Sequence, residues 1–230
     1  MKKVIVFDMD DTLYDEFEFV KSGFREVAKY LSVNYHLQEE ELFQWMWQRL
    51  LKSGRGRIFD DLLKENNLFS KGLAKKCVSI YRLHKPQITL PTQTKGILNK
   101  LKQYPCYLIT DGNKTVQYNK VTALGLDKLM KKCYLTYRHG IKNSKPSPYC
   151  IQLIQRREKI DPKNIVYVGD NPTKDFVGIK PLGFRTIRIM TGQHKLIEMP
   201  EQYEAEIRVN DLLELPVALK KIWPEFEIEG

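Results

Sequence analysis

Short apolar runs that end in polar turn residues recur along the chain, and each of them predicts a strand. The first run leaves the N-terminus and stops at a cluster of aspartates, and the last lies near the acidic C-terminal end. The predicted strands are Val4–Phe7, Cys106–Thr110, Lys132–Thr136, Ile165–Val168, Thr186–Met190 and Glu206–Val209.

Segments with helical spacing of apolar residues lie between these strands. Proline and glycine bound several of them, and Thr92 is a candidate N-cap. The predicted helices are Thr92–Gln103, Thr115–Leu124, Pro146–Lys159, Thr173–Lys180 and Asp211–Ile222. The alternation of strands and helices predicts an α/β fold, with a Rossmann-like parallel sheet covered by helices on both faces.

The stretch from residue 14 to residue 86 departs from this alternation because it contains no convincing strand. Its apolar residues recur at helical spacing in four segments, which are Phe17–Leu31, Leu42–Leu51, Ile58–Leu63 and Leu73–Leu83. A stripe of Trp and Met residues here indicates helix packing rather than a cofactor site. We therefore predict an α/β core domain formed by residues 1–13 and 87–230, and an inserted all-α domain formed by residues 14–86.

Acidic and hydroxyl residues cluster where three of the predicted strands end, in the stretches DMDDT, TDGN and GDNPTKD. Ligands of open parallel sheets bind at the carboxyl ends of the strands. We therefore expect Asp8, Asp10, Thr110 and Asp170 to converge on one cleft. Clustered carboxylates repel one another unless one is protonated or a cation binds, and oxygen ligands alone suit Mg²⁺.

These stretches resemble the motifs of the haloacid dehalogenase superfamily, in the family's order. DMDDT is similar to the first motif and LITDGN to the second, NSKPSP carries Lys145 in the third, and VYVGDNPTKD is similar to the fourth. The resemblance spans residues 1 to 190, and the helical insert lies where one subgroup of the family carries its cap. KPSP replaces the commoner KPDP, and residues 134–144 are basic where relatives often have acids and glycines.

The resemblance implies a role for each motif residue. Asp8 would be the nucleophile that forms an aspartyl-phosphate, and Asp10 would be the general acid and base. Thr110 would bind a phosphoryl oxygen, and Lys145 would offset the charge of Asp8 and of the transferring group. The implied Mg²⁺ site is formed by Asp8, Asp10 through its main-chain carbonyl, Asp170 and Asp175. Backbone N–H groups that help to hold phosphate are expected at Met9, Asp111 and Gly112.

Neighbouring polar residues have simpler structural interpretations. We interpret Asp11 as a turn or helix-cap residue, and we expect Thr12 to hydrogen-bond within its own loop. Asn171 is placed to cap the helix that follows it, and Asp111 precedes glycine in a common turn pair. His139 is interpreted as a solvated loop residue.

The stretch KSGRGRIFDD, from Lys52 to Asp61, lies between two predicted helices of the insert. Similar capped enzymes carry a loop for substrate specificity at this place, so Arg55 and Arg57 are candidates for contact with a second anionic group or a sugar hydroxyl. The alternative is a solvated turn between helices, with Gly54 as a helix C-cap.

Composition changes this picture little. The chain has 230 residues and carries 38 Lys and Arg against 28 Asp and Glu, which gives a formal net charge of +10. The positive residues are scattered in pairs, which favours a solvated surface that helps to attract a small phosphorylated substrate over a surface that binds nucleic acid. We expect reduced thiols in or near the core at the widely spaced cysteines, which are Cys77, Cys106, Cys133 and Cys150.

The N-terminal apolar run is too short for a signal peptide or a membrane span, and aspartates interrupt it. We therefore expect a soluble cytoplasmic protein without a membrane partner, as a monomer or a homodimer.

Asp10 bears on which reaction of the superfamily to expect. Attack on a carbon that carries a halide needs no acid to protonate a leaving alkoxide, so a second aspartate favours phosphoryl transfer. We therefore predict a Mg²⁺-dependent phosphatase that hydrolyses a small phosphorylated metabolite, either a sugar phosphate or a nucleotide. A phosphomutase with the same catalytic residues is an alternative, and a basic nucleic-acid-binding protein is another.

Overall fold

The computed structural model describes residues 2–228, and in this part of the chain it contains a six-stranded sheet. The strands are β1 (Val4–Phe7), β2 (Cys106–Thr110), β3 (Lys132–Leu135), β4 (Ile165–Gly169), β5 (Arg185–Ile189) and β6 (Ile207–Val209). Their order in the sheet is β3-β2-β1-β4-β5-β6, and each neighbouring pair is parallel. The predicted Rossmann-like parallel sheet is confirmed.

Helices occupy most of the chain between these strands. They are α1 (Glu16–Tyr35), α2 (Glu39–Ser53), α3 (Ile58–Glu65), α4 (Lys71–Leu83), α5 (Thr92–Lys100), α6 (Lys114–Ala123), α7 (Leu126–Leu129), α8 (Tyr149–Glu158), α9 (Pro172–Asp175) and α10 (Leu215–Ile222). Within the described chain, no helix combines the length and the apolar character that crossing a membrane requires.

The predicted strands agree closely with the observed ones, and the differences lie at their ends. β1 and β2 have the predicted bounds. β3 ends at Leu135 because Thr136 begins a short 3-10 turn. β5 begins at Arg185, which pairs with Val166 of β4, one residue before the predicted start.

The predictions for the N-terminal ends of α5 and α8 are wrong in part. The prediction that Thr92 caps α5 is wrong, because Pro91 holds the N-cap position and no side chain caps this helix. α8 begins at Tyr149 rather than at Pro146, because a turn closed by the bond from the Ser147 N–H to the Ser144 carbonyl precedes it. Proline therefore lies before these helices and not in their first turn.

Both faces of the sheet are buried. All residues of β1, β2 and β4 are buried, which is the pattern of a parallel sheet covered by helices on both sides. Tyr107, Phe176 and Phe184 belong to one buried apolar cluster that joins strand and helix residues. The prediction for the cysteines is also confirmed, since all four thiols are free and three are buried, which are Cys77, Cys106 and Cys150.

The chain divides into two compact units. The first, which we call the α/β unit, contains the residues up to Glu16 together with those from Thr89 onward, and the second, the helical unit, contains residues 17–88. The predicted insert had similar bounds, 14–86. Its assignment as a cap domain stays a prediction.

The helical unit has an apolar core of its own. Phe24 and Leu31 of α1, Met46 of α2 and Leu62 of α3 belong to its buried cluster. Burial of each such side chain stabilises the fold by about 1.5–3 kcal/mol relative to exposure. The four predicted helical segments are confirmed as α1 to α4. Gly54 ends α2 with a φ of 72° and donates its N–H to the Leu50 carbonyl, so the predicted C-cap is confirmed.

We expect Gly178→Ala to destabilise the α/β unit, because the added Cβ would lie 1.7 Å from the main-chain oxygen of Pro146. Overpacking against backbone costs about 1–3 kcal/mol. The matched control is Gly96→Ala on α5, where nothing lies within 4 Å of an added Cβ. Alanine in a helix should stabilise by about 0.5–1 kcal/mol relative to glycine.

Urea unfolding followed by circular dichroism measures both variants. Equal free energies of unfolding for the two would contradict the close approach of residue 178 to Pro146.

Candidate active site

The carboxyl ends of three adjacent strands place the polar motif residues next to one another. Asp8 follows β1, and its N–H donates to the carbonyl of Val168 in β4 at 2.8 Å. Thr110 is the last residue of β2, and Asp170 follows the last residue of β4. Because β1 lies between β2 and β4, these side chains meet at one edge of the sheet, as the sequence predicted.

Three acidic side chains form a buried group at this edge. Asp8, Asp170 and Asp175 are all buried, and each offers a carboxylate oxygen within 4.8 Å of the others. Asp175 comes from α9, which begins where the Asn171 side chain accepts a hydrogen bond from the Thr173 N–H at 3.1 Å. The predicted capping role of Asn171 is thereby confirmed, and α9 is the element that brings the last acid into the group.

Gly169 is required by this arrangement. A Cβ at this position would lie 2.4 Å from Asp175 Oδ2. The Gly-Asp pair at the end of β4 therefore lets the second acid of the motif fold back beside the strand.

Lys145 supplies the positive charge of the group. Its Nζ makes ion pairs with Asp8 and, at 2.8 Å, with Asp175 Oδ1. Its side chain is only 7% exposed. The Lys145 N–H donates to Asp111 Oδ1 at 3.1 Å, so the side chain of Asp111 holds the lysine loop in place.

Both carboxylate oxygens of Asp175 accept hydrogen bonds from protein groups. Its Oδ1 accepts from Lys145 and from the hydroxyl of Tyr167 at 3.2 Å, and its Oδ2 accepts from the Asn171 N–H at 3.0 Å. A carboxylate bound on both oxygens orients its neighbours. Tyr167 was missed by the sequence analysis, since an apolar strand gives no sign of which side chain carries a useful hydroxyl.

Burial and mutual repulsion set the ionisation of this group. Burial raises the pKa of Asp8 well above its usual value, against the opposing effect of Lys145. Burial also raises the pKa of Asp170. For Lys145, burial by itself lowers the pKa, but Asp175 and Asp8 raise it more strongly. Ionisation of all three acids is therefore unfavourable beside a single lysine, and a bound cation would favour it.

His194 is a second residue that the sequence analysis missed. Its Nδ1 lies 2.8 Å from Asp170 Oδ2, and its Nε2 lies 3.1 Å from Asn171 Nδ2. Its carbonyl accepts a hydrogen bond from Arg188 at 2.7 Å. His194 also forms, with Asp11 and Asp170, a second group with ligand atoms close together. No local pattern marks this histidine, because it lies in a loop 24 residues after its aspartate partner.

The carboxylate of Asp10 has its own set of donors. Its Oδ1 accepts from the Tyr14 hydroxyl at 2.7 Å and from Lys120 Nζ at 2.8 Å, and its Oδ2 accepts from Gln117 Nε2 at 2.9 Å. Burial by itself lowers the pKa of Lys120, but Asp10 and Glu16 raise it above the usual value. Gln117 and Lys120 of α6 were not predicted as site residues. The sequence signal for them is their three-residue spacing after the second motif, which puts both side chains on one face of the helix.

The residues predicted to hold phosphate also lie at this edge. Gln117 Nε2 lies 2.7 Å from Thr110 Oγ1 and 2.9 Å from the carbonyl of Asp111. Gly112 has a φ of 131°, a conformation that suits glycine. The Met9 side chain is fully buried, so its contact with a ligand would come from the backbone.

Asp11 and Thr12, which follow Asp10, both make bonds of the predicted kind. Asp11 Oδ1 accepts from the N–H of Glu16, the first residue of α1, at 2.9 Å, so its predicted capping role is confirmed. Thr12 hydrogen-bonds within its own loop, as predicted, because its N–H donates to the Met9 carbonyl at 3.4 Å. Its hydroxyl in addition lies 3.5 Å from Asp170 Oδ1, a contact outside the loop that the sequence did not indicate.

The candidate specificity residues lie in the helical unit. Arg55 and Arg57 line a cavity of about 420 Å³ together with apolar side chains such as Phe24 and Tyr81. Arg57 has a φ of 58° and occupies the position before the first turn of α3. These two arginines stay candidates for substrate contact.

Lys145→Met should destabilise the protein by about 3–5 kcal/mol, because it leaves buried Asp8 and Asp175 without their cation. Lys142→Met, which changes an exposed lysine of the same loop, should alter the free energy of unfolding by less than about 0.5 kcal/mol. Urea unfolding in EDTA measures both. If the first variant unfolds at the urea concentration of the wild type, the ion pairs do not exist in solution.

Several known proteins resemble this chain over nearly its whole length. A glyceraldehyde 3-phosphate phosphatase of Methanocaldococcus jannaschii is 29% identical over 230 residues, a match that covers 96% of this chain and 99% of that protein. The N-acylneuraminate-9-phosphatase of Homo sapiens is 23% identical, with 96% and 94% covered. The crystal structure of a 2-haloacid dehalogenase from Pseudomonas syringae has the same fold, with a TM-score of 0.65, 22% identity and coverage of 96% and 99%.

The sequence profile of haloacid dehalogenase-like hydrolases matches residues 5–189. This region begins in β1 and ends at the last residue of β5, so it contains the buried acidic group and its lysine. The resemblance predicted from the four motifs is confirmed. The chain therefore belongs to the haloacid dehalogenase-like hydrolase family.

Proposed function

We propose that the protein is a Mg²⁺-dependent phosphomonoesterase that hydrolyses a small phosphorylated metabolite through an aspartyl-phosphate on Asp8. The observation that carries the proposal is the position of Asp8, which contacts Lys145 inside the buried acidic group. A second acid, Asp10, lies two residues further on and is held by separate donors. A nucleophile beside a cation and a separate proton donor are what transfer of a phosphoryl group requires.

In the first step the Asp8 carboxylate attacks phosphorus. A bond forms between phosphorus and the Asp8 oxygen, and the bond from phosphorus to the leaving oxygen breaks. Asp10 gives its proton to the leaving oxygen, which departs as an alcohol. Lys145 offsets the negative charge of Asp8 and of the transferring group.

In the second step water hydrolyses the aspartyl-phosphate. Asp10, now a carboxylate, takes a proton from the attacking water. The water oxygen bonds to phosphorus, the bond to Asp8 breaks, and inorganic phosphate leaves. Both aspartates return to their starting forms.

The phosphoryl oxygens are proposed to bind at the end of β2 and after β1. Thr110 offers its hydroxyl, and backbone N–H groups at Met9, Asp111 and Gly112 offer further donors. Donors fixed by the backbone stabilise developing charge without reorganising during the reaction.

The donor set fits Mg²⁺, because it consists of buried carboxylate oxygens that lie close together and repel one another. Asp8, Asp170 and the main-chain carbonyl of Asp10 would hold the ion, with Asp175 orienting the residues around it. When bound, the ion supplies positive charge that offsets the phosphoryl oxygens.

The helical unit is proposed to be the cap that selects the substrate. Its cavity is lined by both arginine and apolar side chains, which suits a molecule with an anionic or hydroxyl-bearing group. The names of the relatives, glyceraldehyde 3-phosphate phosphatase and N-acylneuraminate-9-phosphatase, support a sugar phosphate as the substrate class.

The protein should release phosphate from p-nitrophenyl phosphate in the presence of Mg²⁺, and EDTA should abolish this activity. Asp8→Asn should lower kcat/KM by about 10³-fold or more, because the amide is no nucleophile. Asp127→Asn, at an exposed position of α7, should leave it unchanged.

A broad set of phosphate esters assayed for phosphate release extends the test. No release from any ester with Mg²⁺ present would contradict the proposal. Conversion of a sugar phosphate to an isomer, with little free phosphate, would indicate a phosphomutase instead.

Arg57→Ala should raise KM for the best substrate of that set by about 10-fold or more, since a hydrogen bond to a charged group contributes about 1.5–3 kcal/mol. Hydrolysis of p-nitrophenyl phosphate, which lacks a second polar group of this kind, should be unaffected. Lys75→Ala, at an exposed position of α4, is the control. Equal changes in KM for both substrates would argue against specific contact by Arg57.

A further inference from the structure

Lys120 is a buried lysine that takes no part in the steps described above. It lies on α6, and its side chain is only 3% exposed. Its Nζ lies 2.8 Å from Asp10 Oδ1 and 3.1 Å from Glu16 Oε1. Lysine is rarely buried unless it is paired, and it loses much side-chain entropy when it is fixed. The ion pair with Asp10 therefore fixes the buried side chain of Lys120 in one position.

Gln117 lies on the same face of α6 and is equally buried, with 3% of its surface exposed. Its Nε2 lies 2.9 Å from Asp10 Oδ2, 2.7 Å from Thr110 Oγ1 and 2.9 Å from the carbonyl of Asp111. One amide group thus links the carboxylate after β1 with the end of β2.

The donors from α6 reach the two oxygens of Asp10 separately. Lys120 and the Tyr14 hydroxyl contact Oδ1, and Gln117 contacts Oδ2. An aspartate carboxyl otherwise rotates freely, because its terminal torsion has only broad minima. Donors on both oxygens fix the plane of the carboxyl, and α6 anchors that plane to the sheet.

We propose that Lys120 and Gln117 are positioning residues that hold the Asp10 carboxyl where it can protonate the leaving oxygen. The inference rests on the phosphatase reaction proposed above. A proton donor must lie within about 2.6–3.2 Å of its acceptor, and a misplacement of about 1 Å lowers the rate about 10²-fold. Neither residue touches the substrate in this role.

The leaving group separates this role from a purely structural one. An alkyl phosphate releases an alkoxide that needs a proton, whereas p-nitrophenyl phosphate releases a stabilised phenolate that departs without one. A misplaced Asp10 should therefore slow hydrolysis of the alkyl ester selectively. Damage to the fold, to the nucleophile or to phosphate binding would slow both esters alike.

The test compares kcat/KM for glycerol 2-phosphate and for p-nitrophenyl phosphate, since this constant covers the step in which the leaving group departs. Lys120→Met should lower it about 100-fold for glycerol 2-phosphate and less than about 5-fold for p-nitrophenyl phosphate. Gln117→Met should show the same selectivity, and it serves as the test if Lys120→Met does not fold. Lys128→Met, at an exposed position of α7, is the control and should change neither constant.

Equal losses for the two esters in the folded variants would overturn the inference, and so would the absence of any loss. Wild-type protein that hydrolyses neither ester with Mg²⁺ would overturn the phosphatase proposal, and this inference with it. Selective loss with wild-type activity intact supports both.

Discussion

Mutual repulsion among three buried carboxylates governs the architecture of the α/β unit around its site. Asp8, Asp170 and Asp175 lie within reach of one another where little water screens them. Such a group costs free energy unless cations and hydrogen-bond donors surround it. The fold provides Lys145 on one side and His194 on another. The remaining excess of negative charge is the physical reason for expecting a dication here.

The order of the strands explains how this group assembles from distant parts of the chain. Placing β1 between β2 and β4 brings the segment after residue 7 beside the segments after residues 110 and 169. The connecting helices then carry the supporting side chains. α6 carries Lys120 and Gln117 to Asp10, and α9 carries Asp175 to Lys145. The strands fix the positions of the motif acids, and the helices that follow them fix the positions of their hydrogen-bond donors.

Sequence patterns identified candidate site residues where a residue type in a given setting has few structural explanations. The acids that follow β1 and β4 were identified as candidates because clustered charge after an apolar strand has few structural explanations. Lys145 was recognised only by its place among the motifs, since a lysine in a loop is ordinarily solvated. Lys120 was overlooked because a lysine on a helix is also ordinarily solvated. Its burial became evident only from its contacts with two acids 104 and 110 positions earlier in the chain.

The sequence by itself determined the alternation of strands and helices, the parallel sheet, the helical insertion and the family, because these depend on periodicity and on short motifs that are local in the chain. Only the tertiary structure decided which donors serve each carboxylate. Four of these residues reach their partners across turns and helices, and they are His194, Gln117, Lys120 and Tyr167. The local sequence does not show which partner each of these side chains reaches, and packing of α6, α9 and the loop after β5 against the strand ends gives them their positions.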